Sequence, residues 1–299
     1  MRIAAAAYPL SVLDTWAACA AKTRDWVAEA AGQGAELLVF PEYGRMELAT
    51  LDGAAAAADL ERSLHAAARW TERANDLTAE LAREFGVHIL APSGPVFDAD
   101  VAGRARPVNR ASLYGPRGLV GHQDKQVMTR FEREAWNVVP GGPLRVFDTA
   151  LGRIGVLICY DAEFPLLGRA LVEAGAGIIL VPSCTDTLAG YWRVRVGAMA
   201  RALEGQCVTV QSPTVGAAAW SPAVDENVGA AAVYGPADLG FPATGVVAEG
   251  ALGAPGWVLA DIDPEAVARV RREGAVFNHA HWPESAVRAT VSDETADLP

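Results

Sequence analysis

Short apolar runs alternate with longer amphipathic segments along the whole chain. Runs such as residues 37–40 and 178–182 are apolar throughout, which is typical of strands buried on both faces. Residues 11–31 and 54–85 place apolar side chains at helical spacing, and glycines follow both segments. This alternation of strands and helices predicts a sheet that is covered by helices.

Antiparallel strand pairs interrupt this alternation in the middle of the chain. Residues 110–114 and 119–123 flank a Gly-Pro-Arg-Gly turn, which predicts a hairpin. Residues 144–147 and 153–159 form a second predicted pair around a glycine-containing turn. Two sheets packed face to face, with helices outside each, fit a chain of 299 residues better than one open sheet.

We therefore predict an α/β fold of a single domain. That domain covers residues 1–275, and residues 276–299 form a C-terminal tail that we expect to be mobile from about Asn278.

Composition and charge narrow the class of protein. Hydrophobic residues make up 51% of the chain and charged residues 20%, which is typical of a folded globular protein. No apolar run approaches the roughly 20 residues that a membrane helix needs. Residues 1–4 read as a strand rather than as a secretory signal, so we expect a cytoplasmic protein. The net charge of -11 argues against nucleic acid or a membrane as the partner.

Lysine is scarce in this sequence. Only Lys22 and Lys125 are lysines among the 25 basic residues, and arginine supplies the rest. A lysine that remains in such a chain indicates a position where a compact ammonium is needed. Lys22 lies in a polar helical stretch, where an ordinary surface role is favoured. Lys125 lies at the end of a predicted strand.

The sequence indicates no metal or cofactor. The four cysteines, at positions 19, 159, 184 and 207, form no CxxC pair, so neither a zinc site nor a disulfide framework is predicted. His279 and His281 lack a third ligand. No glycine-rich phosphate loop is present, and we expect no cofactor.

Three reactive side chains each follow a predicted strand. Glu42 comes directly after a buried strand, where burial would raise its pKa and suit it to proton transfer, although an acid there also caps a following helix. Lys125 follows a strand as a candidate functional cation, although a lysine among the charged residues there also fits a solvated surface cluster. Cys159 stands where a strand passes into a turn that leaves the next backbone N–H free, as for a nucleophile, although most free cysteines are small buried hydrophobes.

Together these three segments resemble the motifs of the nitrilase, or carbon-nitrogen hydrolase, superfamily. Phe40-Pro41-Glu42 resembles its glutamate motif, Asp124-Lys125 its lysine motif and Cys159-Tyr160-Asp161 its cysteine motif, in the family's chain order. The resemblance extends from Arg2 to about Asp263. It implies a four-layer α-β-β-α sandwich, in agreement with the two-sheet prediction, and a homodimer or higher homo-oligomer assembled through the outer helices.

The resemblance also implies a mechanism. Glu42 takes the thiol proton of Cys159, the sulfur attacks a carbonyl carbon, and Lys125 and the backbone N–H of Tyr160 stabilise the oxyanion. Lys125 would also lower the pKa of the thiol and hold it as a thiolate. A further glutamate after the lysine orients substrate or water in many members; Glu132 is the candidate and Glu134 the alternative.

The implied substrate is a small molecule with a non-peptide amide or N-carbamoyl bond, cleaved through a thioester with release of ammonia or amine. Tyr160-Asp161 after the cysteine resembles the amidase and carbamoylase branches more than nitrile-cleaving members. Residues 183–193 are expected to line the pocket. Their candidate substrate-binding side chains, with Glu134 as a further one, are Thr185, Tyr191 and Arg193.

Two questions stay open at this point. The first is whether Arg193 or Arg195 binds a substrate carboxylate, or whether both arginines face solvent or the region of Glu204. The second is whether the protein is an amidohydrolase, a nitrilase, or a catalytically silent family member that acts as a binding or scaffold protein.

Overall fold

The computed structural model of the protein describes residues 1–102 and 105–291. Its strands are β1 (Arg2–Pro9), β2 (Leu37–Val39), β3 (His88–Leu90), β4 (Gly94–Val96), β5 (Val108–Gly115), β6 (Gly118–Asp124), β7 (Val146–Thr149), β8 (Gly152–Val156), β9 (Ile178–Ser183), β10 (Val208–Ala217), β11 (Glu226–Asn227), β12 (Ala232–Tyr234), β13 (Val246–Glu249) and β14 (Gly256–Asp261). Its α-helices are α1 (Trp16–Gly32), α2 (Ala54–Ala57), α3 (Leu60–Phe85), α4 (Ala99–Ala102), α5 (Arg130–Glu134), α6 (Pro165–Glu173), α7 (Leu188–Gly205), α8 (Ala266–Glu273) and α9 (Asn278–Ala286).

The strands follow the order β4-β5-β3-β2-β1-β10-β9-β8-β7. Strands β1 and β10 pair only at Tyr8 with Thr214 and Pro9 with Val215, so two half-sheets meet at this short junction. The first half holds β1 to β6 with β14, and the second holds β7 to β10 with β12 and β13. This topology confirms the predicted α/β fold, and it is consistent with the four-layer sandwich.

Strand β1 shows how the layers pack. Its residues Ile3, Ala5 and Ala7 belong to one hydrophobic core together with β8, β9 and β10 of the second half-sheet. Its residues Ala4, Ala6 and Tyr8 belong to a second core together with α1 and α3. Successive side chains of a strand point to opposite faces, so a strand between two cores must be apolar at every position.

The predicted helix over residues 54–85 is divided in the structure. Helix α2 ends at Ala57, and Asp59 adopts an extended conformation and caps α3 by accepting a hydrogen bond from the backbone N–H of Arg62. An aspartate in this position satisfies one of the free N–H groups of a helix start.

The sequence prediction also missed a 3-10 helix, Gly44–Asp52, which follows Glu42. Lys22 anchors this helix, because its Nζ donates to Glu47 Oε2 at 2.7 Å, to the Pro9 carbonyl at 2.7 Å and to Ser11 Oγ at 2.9 Å. The surface role expected for Lys22 is therefore wrong: the lysine is largely buried and holds the segment next to Glu42.

The C-terminal segment contains helix α9, where the sequence predicted mobile chain from about Asn278. Trp282 of this helix lies 4.8 Å below the Arg169 guanidinium, and the Arg169 Nη1 lies 3.5 Å from the His279 carbonyl. Residues 292–299 of the predicted tail lie outside the described residues. The division at residue 275 stays a prediction.

None of the helices in the described ranges combines the length and the apolar character that crossing a bilayer would require.

Candidate active site

The three reactive side chains that the sequence singled out meet at one cavity of about 350 Å³. Glu42 follows β2, Lys125 follows β6, and Cys159 begins a 3-10 turn, Cys159–Glu163, after β8. Lys125 Nζ lies 2.7 Å from Glu42 Oε1. The arrangement brings a carboxylate, an ammonium and a thiol together below the protein surface, since each of the three side chains is at least 95% buried.

Glu42 is held by three donors. Its Oε1 accepts from Lys125 Nζ at 2.7 Å and from Asn109 Nδ2 at 3.0 Å, and its Oε2 accepts from the Cys184 backbone N–H at 3.0 Å. Burial raises the pKa of Glu42 to about 7, the Glu132 charge adds to this rise, and the Lys125 ammonium opposes it. A carboxylate with such a pKa exchanges protons near neutral pH.

Lys125 lies between two carboxylates. Its Nζ donates to Glu42, and to both Oε1 and Oε2 of Glu132 at 2.9 and 2.8 Å. Burial disfavours the ammonium, but the Glu132 and Glu42 charges outweigh it and raise the pKa of Lys125 well above its usual range. Burial likewise disfavours the Glu132 carboxylate, yet the Lys125 charge leaves the pKa of Glu132 below its usual value. Lys125 is therefore a fixed cation.

Cys159 carries a thiol rather than a thiolate at rest. Its Sγ lies 3.8 Å from the Cys184 carbonyl oxygen. Burial and then the Glu42 carboxylate raise the pKa of Cys159 well above its usual range, although the Lys125 ammonium lowers it. Lys125 lowers the pKa of Cys159 as expected, but the expectation that it holds Cys159 as a thiolate is wrong, because burial and the Glu42 carboxylate outweigh its charge.

The backbone around Cys159 has an uncommon conformation. Cys159 has a φ of 52°, in the left-handed region that residues other than glycine rarely adopt. In the first hydrogen bond of this turn, the Asp161 N–H donates to the Ile158 carbonyl. The Tyr160 N–H lies one residue before that donor, so the hydrogen bonding of the turn does not use it. Tyr160 also lines the cavity. Its role as an oxyanion donor stays a prediction.

Asp161 joins the lysine segment to the cysteine turn. Its carboxylate accepts from the backbone N–H groups of Gln126 and Val127, at 3.1 and 2.8 Å, and from that of Ile158 at 3.3 Å. Burial raises the pKa of Asp161 to about 6, against these hydrogen bonds and the Lys125 charge. This residue fixes the position of Lys125 relative to Cys159.

Most of the predicted site residues line the cavity, and two do not. Those in its wall are Glu42, Lys125, Glu132, Cys159, Tyr160, Thr185 and Arg193. Glu134 lies outside it: its Oε2 accepts from Arg130 Nε at 2.8 Å on the exposed side of α5. Residues two apart on a helix do not share a face, so only Glu132 of the two glutamates reaches Lys125.

Tyr191 is also outside the cavity wall. Its hydroxyl accepts from Arg195 Nη1 at 2.9 Å, and Arg195 Nη2 donates to Glu249 at 2.6 Å. Arg193 lines the cavity and lies 3.4 Å from Glu163 Oε1. Neither arginine contacts Glu204, and Arg195 is committed to a carboxylate of the protein itself.

Thr185 stands in the wall with its side chain turned to the backbone. Its Oγ1 donates to the Val228 carbonyl at 2.7 Å, and its own carbonyl accepts from the Val228 N–H at 2.7 Å. This pairing connects the segment after β9 to residues 222–226, which supply another part of the wall.

Four functional candidates escaped the sequence reasoning. Tyr43 directly follows the glutamate motif and Asp161 ends the cysteine motif, and neither was assigned a role. Asn109 and Cys184, whose groups hold Glu42, lie in β5 and after β9. Nothing in their local sequence signals these contacts, because Asn109 reaches Glu42 from another strand of the same half-sheet and Cys184 reaches it from the second half-sheet.

Across the two described ranges, no group of three or more histidine, cysteine, aspartate or glutamate side chains is arranged to hold a metal ion. The metal-free and cofactor-free site stays a prediction.

Comparison with known proteins gives one family. The model of the carbon-nitrogen hydrolase family matches residues 2–272. The chain is 31% identical over 277 residues to the probable hydrolase YhcX of Bacillus subtilis, covering 92% of this chain and 52% of YhcX. It is 36% identical over 150 residues to the deaminated glutathione amidase of Bos taurus, covering 49% of this chain and 42% of that protein. The chain thus spans about half the length of these relatives.

The fold has counterparts among solved structures. Saccharomyces cerevisiae Nit3, a member of branch 10 of the nitrilase superfamily, superposes with a TM-score of 0.70 at 21% sequence identity. The superposition covers 91% of this chain and 93% of Nit3. At this level of identity the likeness concerns the fold.

Proposed function

The chain belongs to the carbon-nitrogen hydrolase family, the nitrilase superfamily, and on that premise we propose that it is an amidohydrolase. It cleaves a non-peptide amide or N-carbamoyl bond of a small molecule through a thioester on Cys159. One observation carries this proposal: a fully buried Lys125 bridges Glu42 and Glu132 in the wall of the cavity that also holds Cys159.

Acylation begins with proton transfer. Glu42 takes the thiol proton as the Cys159 sulfur forms a bond to the carbonyl carbon of the substrate. The carbonyl oxygen becomes an oxyanion beside the Lys125 ammonium and the Tyr160 N–H. Glu42 then returns the proton to the nitrogen, the carbon-nitrogen bond breaks, and ammonia or amine leaves an acyl thioester behind.

Deacylation uses the same groups. Glu42 accepts a proton from water, whose oxygen attacks the thioester carbonyl, and it returns that proton to the sulfur as the carboxylic acid leaves. The sum is one amide and one water converted to one acid and one ammonia or amine. A base that serves both half-reactions needs a pKa near neutrality, which burial provides for Glu42.

The charge balance explains why a cation that is neutralised at rest stabilises the oxyanion. In the resting site, the Lys125 ammonium faces two carboxylates. When Glu42 becomes protonated, only Glu132 still balances Lys125. The ammonium is therefore released for the oxyanion at the moment when that charge develops.

The test is a panel of amides, N-carbamoyl compounds and nitriles, assayed by release of ammonia. We expect turnover of amides or N-carbamoyl compounds by the native protein and none by Cys159→Ala. The matched control is Cys207→Ala, since Cys207 is equally buried but lies outside the cavity. Turnover of nitriles alone would establish a nitrilase, and no turnover with Cys159 unreactive toward alkylation would indicate a silent binding protein.

We also propose that the chain forms a homo-oligomer through α7. Leu188, Trp192, Val196 and Leu203 are each about half exposed, and their spacing places them on one helix face. Val196→Glu should therefore reduce the molar mass in light scattering, whereas Val291→Glu, at a fully exposed site elsewhere, should leave it unchanged. The cytoplasmic location stays a prediction.

A further inference from the structure

Tyr43 connects the catalytic base to the second glutamate. It follows Glu42 directly, is 96% buried and lines the cavity. Its hydroxyl donates to Glu132 Oε1 at 2.6 Å, and its ring lies 4.8 Å from that of Trp136. No step of the mechanism above uses this side chain.

The backbone of Tyr43 is held in a conformation that a bulky residue seldom adopts. Its φ is 52°, in the left-handed region. The Tyr43 N–H donates to Ser93 Oγ at 3.0 Å, and the Ser93 N–H donates to the Pro41 carbonyl at 3.0 Å. Strain of this kind persists where surrounding contacts fix it, and here those contacts direct the phenol toward Glu132.

The phenol acts on Glu132 as a neutral donor. Burial, followed by the Glu132 and Glu42 charges, raises the pKa of Tyr43 well above its usual range, so the hydroxyl keeps its proton. Glu132 Oε2 accepts from the Thr129 N–H at 2.8 Å, and Lys125 donates to both carboxylate oxygens. Tyr43 completes this set on Oε1. Without it, Glu132 would carry more uncompensated charge and attract Lys125 away from Glu42.

We propose that Tyr43 is a positioning residue that fixes Glu132 so that the Lys125 ammonium stays shared between the two carboxylates. The inference deepens the proposed function and rests on it for the role of Glu42 as base. The titratable groups that face Glu42 are Lys125, Glu132, Cys159, Cys184 and Tyr43. Of these, Tyr43 alone can lose its polar atom while keeping its shape, in Tyr43→Phe.

Loss of the Tyr43 hydroxyl should raise the pKa of Glu42. Lys125 moves toward Glu132, Glu42 loses part of its cationic stabilisation, and its pKa rises further. The acid limb of any reaction that needs ionised Glu42 should then move to higher pH by about half a unit to one unit. The rate at pH 6 should fall by about threefold to tenfold, while KM at pH 8 should stay within about twofold.

The experiment measures two pH profiles for the native protein, Tyr43→Phe and Tyr191→Phe. Tyr191 is the matched control, because it is buried to the same extent and its hydroxyl bonds a charged group outside the cavity. The first profile is the rate of iodoacetamide labelling at Cys159, read by peptide mass spectrometry. The second is kcat/KM for an amide that the ammonia panel identifies. Circular dichroism checks the fold of each variant.

The labelling profile decides the inference without a known substrate. A shift to higher pH in folded Tyr43→Phe, absent from Tyr191→Phe, supports the positioning role. The positioning role is overturned if the acid limb of the Tyr43→Phe profile lies at the same pH as that of the native protein, or if Tyr43→Phe and Tyr191→Phe show equal shifts. If labelling shifts as expected but no amide is hydrolysed, the proposed function fails while the arrangement around Glu42 stands.

Discussion

Replacing Glu42 with glutamine should abolish activity and at the same time make the stability less sensitive to pH. The folded pKa of Glu42 is about 7, against an ordinary value of 4.5. Between those two pH values the folded state binds more protons at this site than the unfolded chain does. Its contribution to the free energy of unfolding therefore falls as the pH rises through that window.

The size of this effect follows from the shift. Each pKa unit corresponds to 1.36 kcal/mol, so ionising the buried carboxyl costs about 3 kcal/mol of stability above pH 7. Glutamine avoids this cost, although its amide group meets the Cys184 N–H, and that mismatch costs about 1–3 kcal/mol at every pH. The difference in unfolding free energy between Glu42→Gln and the native protein should hence become more favourable to the variant by about 2–3 kcal/mol from pH 5 to pH 8.

Urea unfolding followed by circular dichroism at pH 5 and pH 8 measures this difference. The control is Glu29→Gln, which makes the same substitution at an exposed carboxylate on α1. In the same preparations, mass spectrometry with a slow amide substrate should find no acyl adduct on Cys159, because glutamine cannot take the thiol proton.

Two results would contradict the role of Glu42 as a buried base. A stability difference for Glu42→Gln that does not change with pH would show that burial does not raise the pKa of Glu42. An acyl adduct that accumulates on Cys159 would show that Glu42 serves only the water step, and Glu132 would become the candidate for deprotonating the thiol.

Further predictions concern the cation, its anchor and the cavity mouth. Lys125→Arg should lower kcat as much as Lys125→Ala, by about 10²- to 10³-fold, since a planar fork does not fit a site built for a point charge; a near-native kcat would leave Lys125 only a charge-balancing role. Asp161→Asn should lower kcat about tenfold by loosening Lys125 relative to Cys159, and unchanged kinetics would contradict that link. The cavity is lined by three acidic residues without a basic partner in the described parts of the chain, Asp186, Asp225 and Glu226. The cationic amide 5-aminopentanamide should therefore show a higher kcat/KM than the anionic amide glutaramate, and the ratio should fall at high salt. A preference for glutaramate would contradict this prediction.

Much of the fold could be predicted from the sequence because the relevant signals are local. Apolar runs such as residues 37–40 predicted strands buried on both faces, and β2 is fully buried between its neighbours. Gly86 predicted the end of α3, which it caps in the left-handed conformation. The 3-10 helix Gly44–Asp52 was missed because its anchor, Lys22, lies on a different helix.

Some residues of the candidate site could likewise be identified from the sequence, and others only from the structure. The hydrophobic pattern predicted that Glu42, Lys125 and Cys159 each follow a strand, and the resemblance of their three motifs to the nitrilase superfamily, in the same chain order, identified them as one site. That Glu132 rather than Glu134 reaches Lys125 follows from the geometry of one helix, but only the structure shows which face of α5 turns inward.

The protonation states were decided by the tertiary structure. The family resemblance implied that Lys125 would help to hold Cys159 as a thiolate, whereas in the folded protein burial and the Glu42 carboxylate outweigh the Lys125 charge and keep the thiol neutral. A pKa depends on burial and on every charge within a few ångströms, and those neighbours come from segments far apart in the chain. The order of residues thus determines which reactive groups the site contains, and the tertiary packing of the segments that carry them determines what charge each group has.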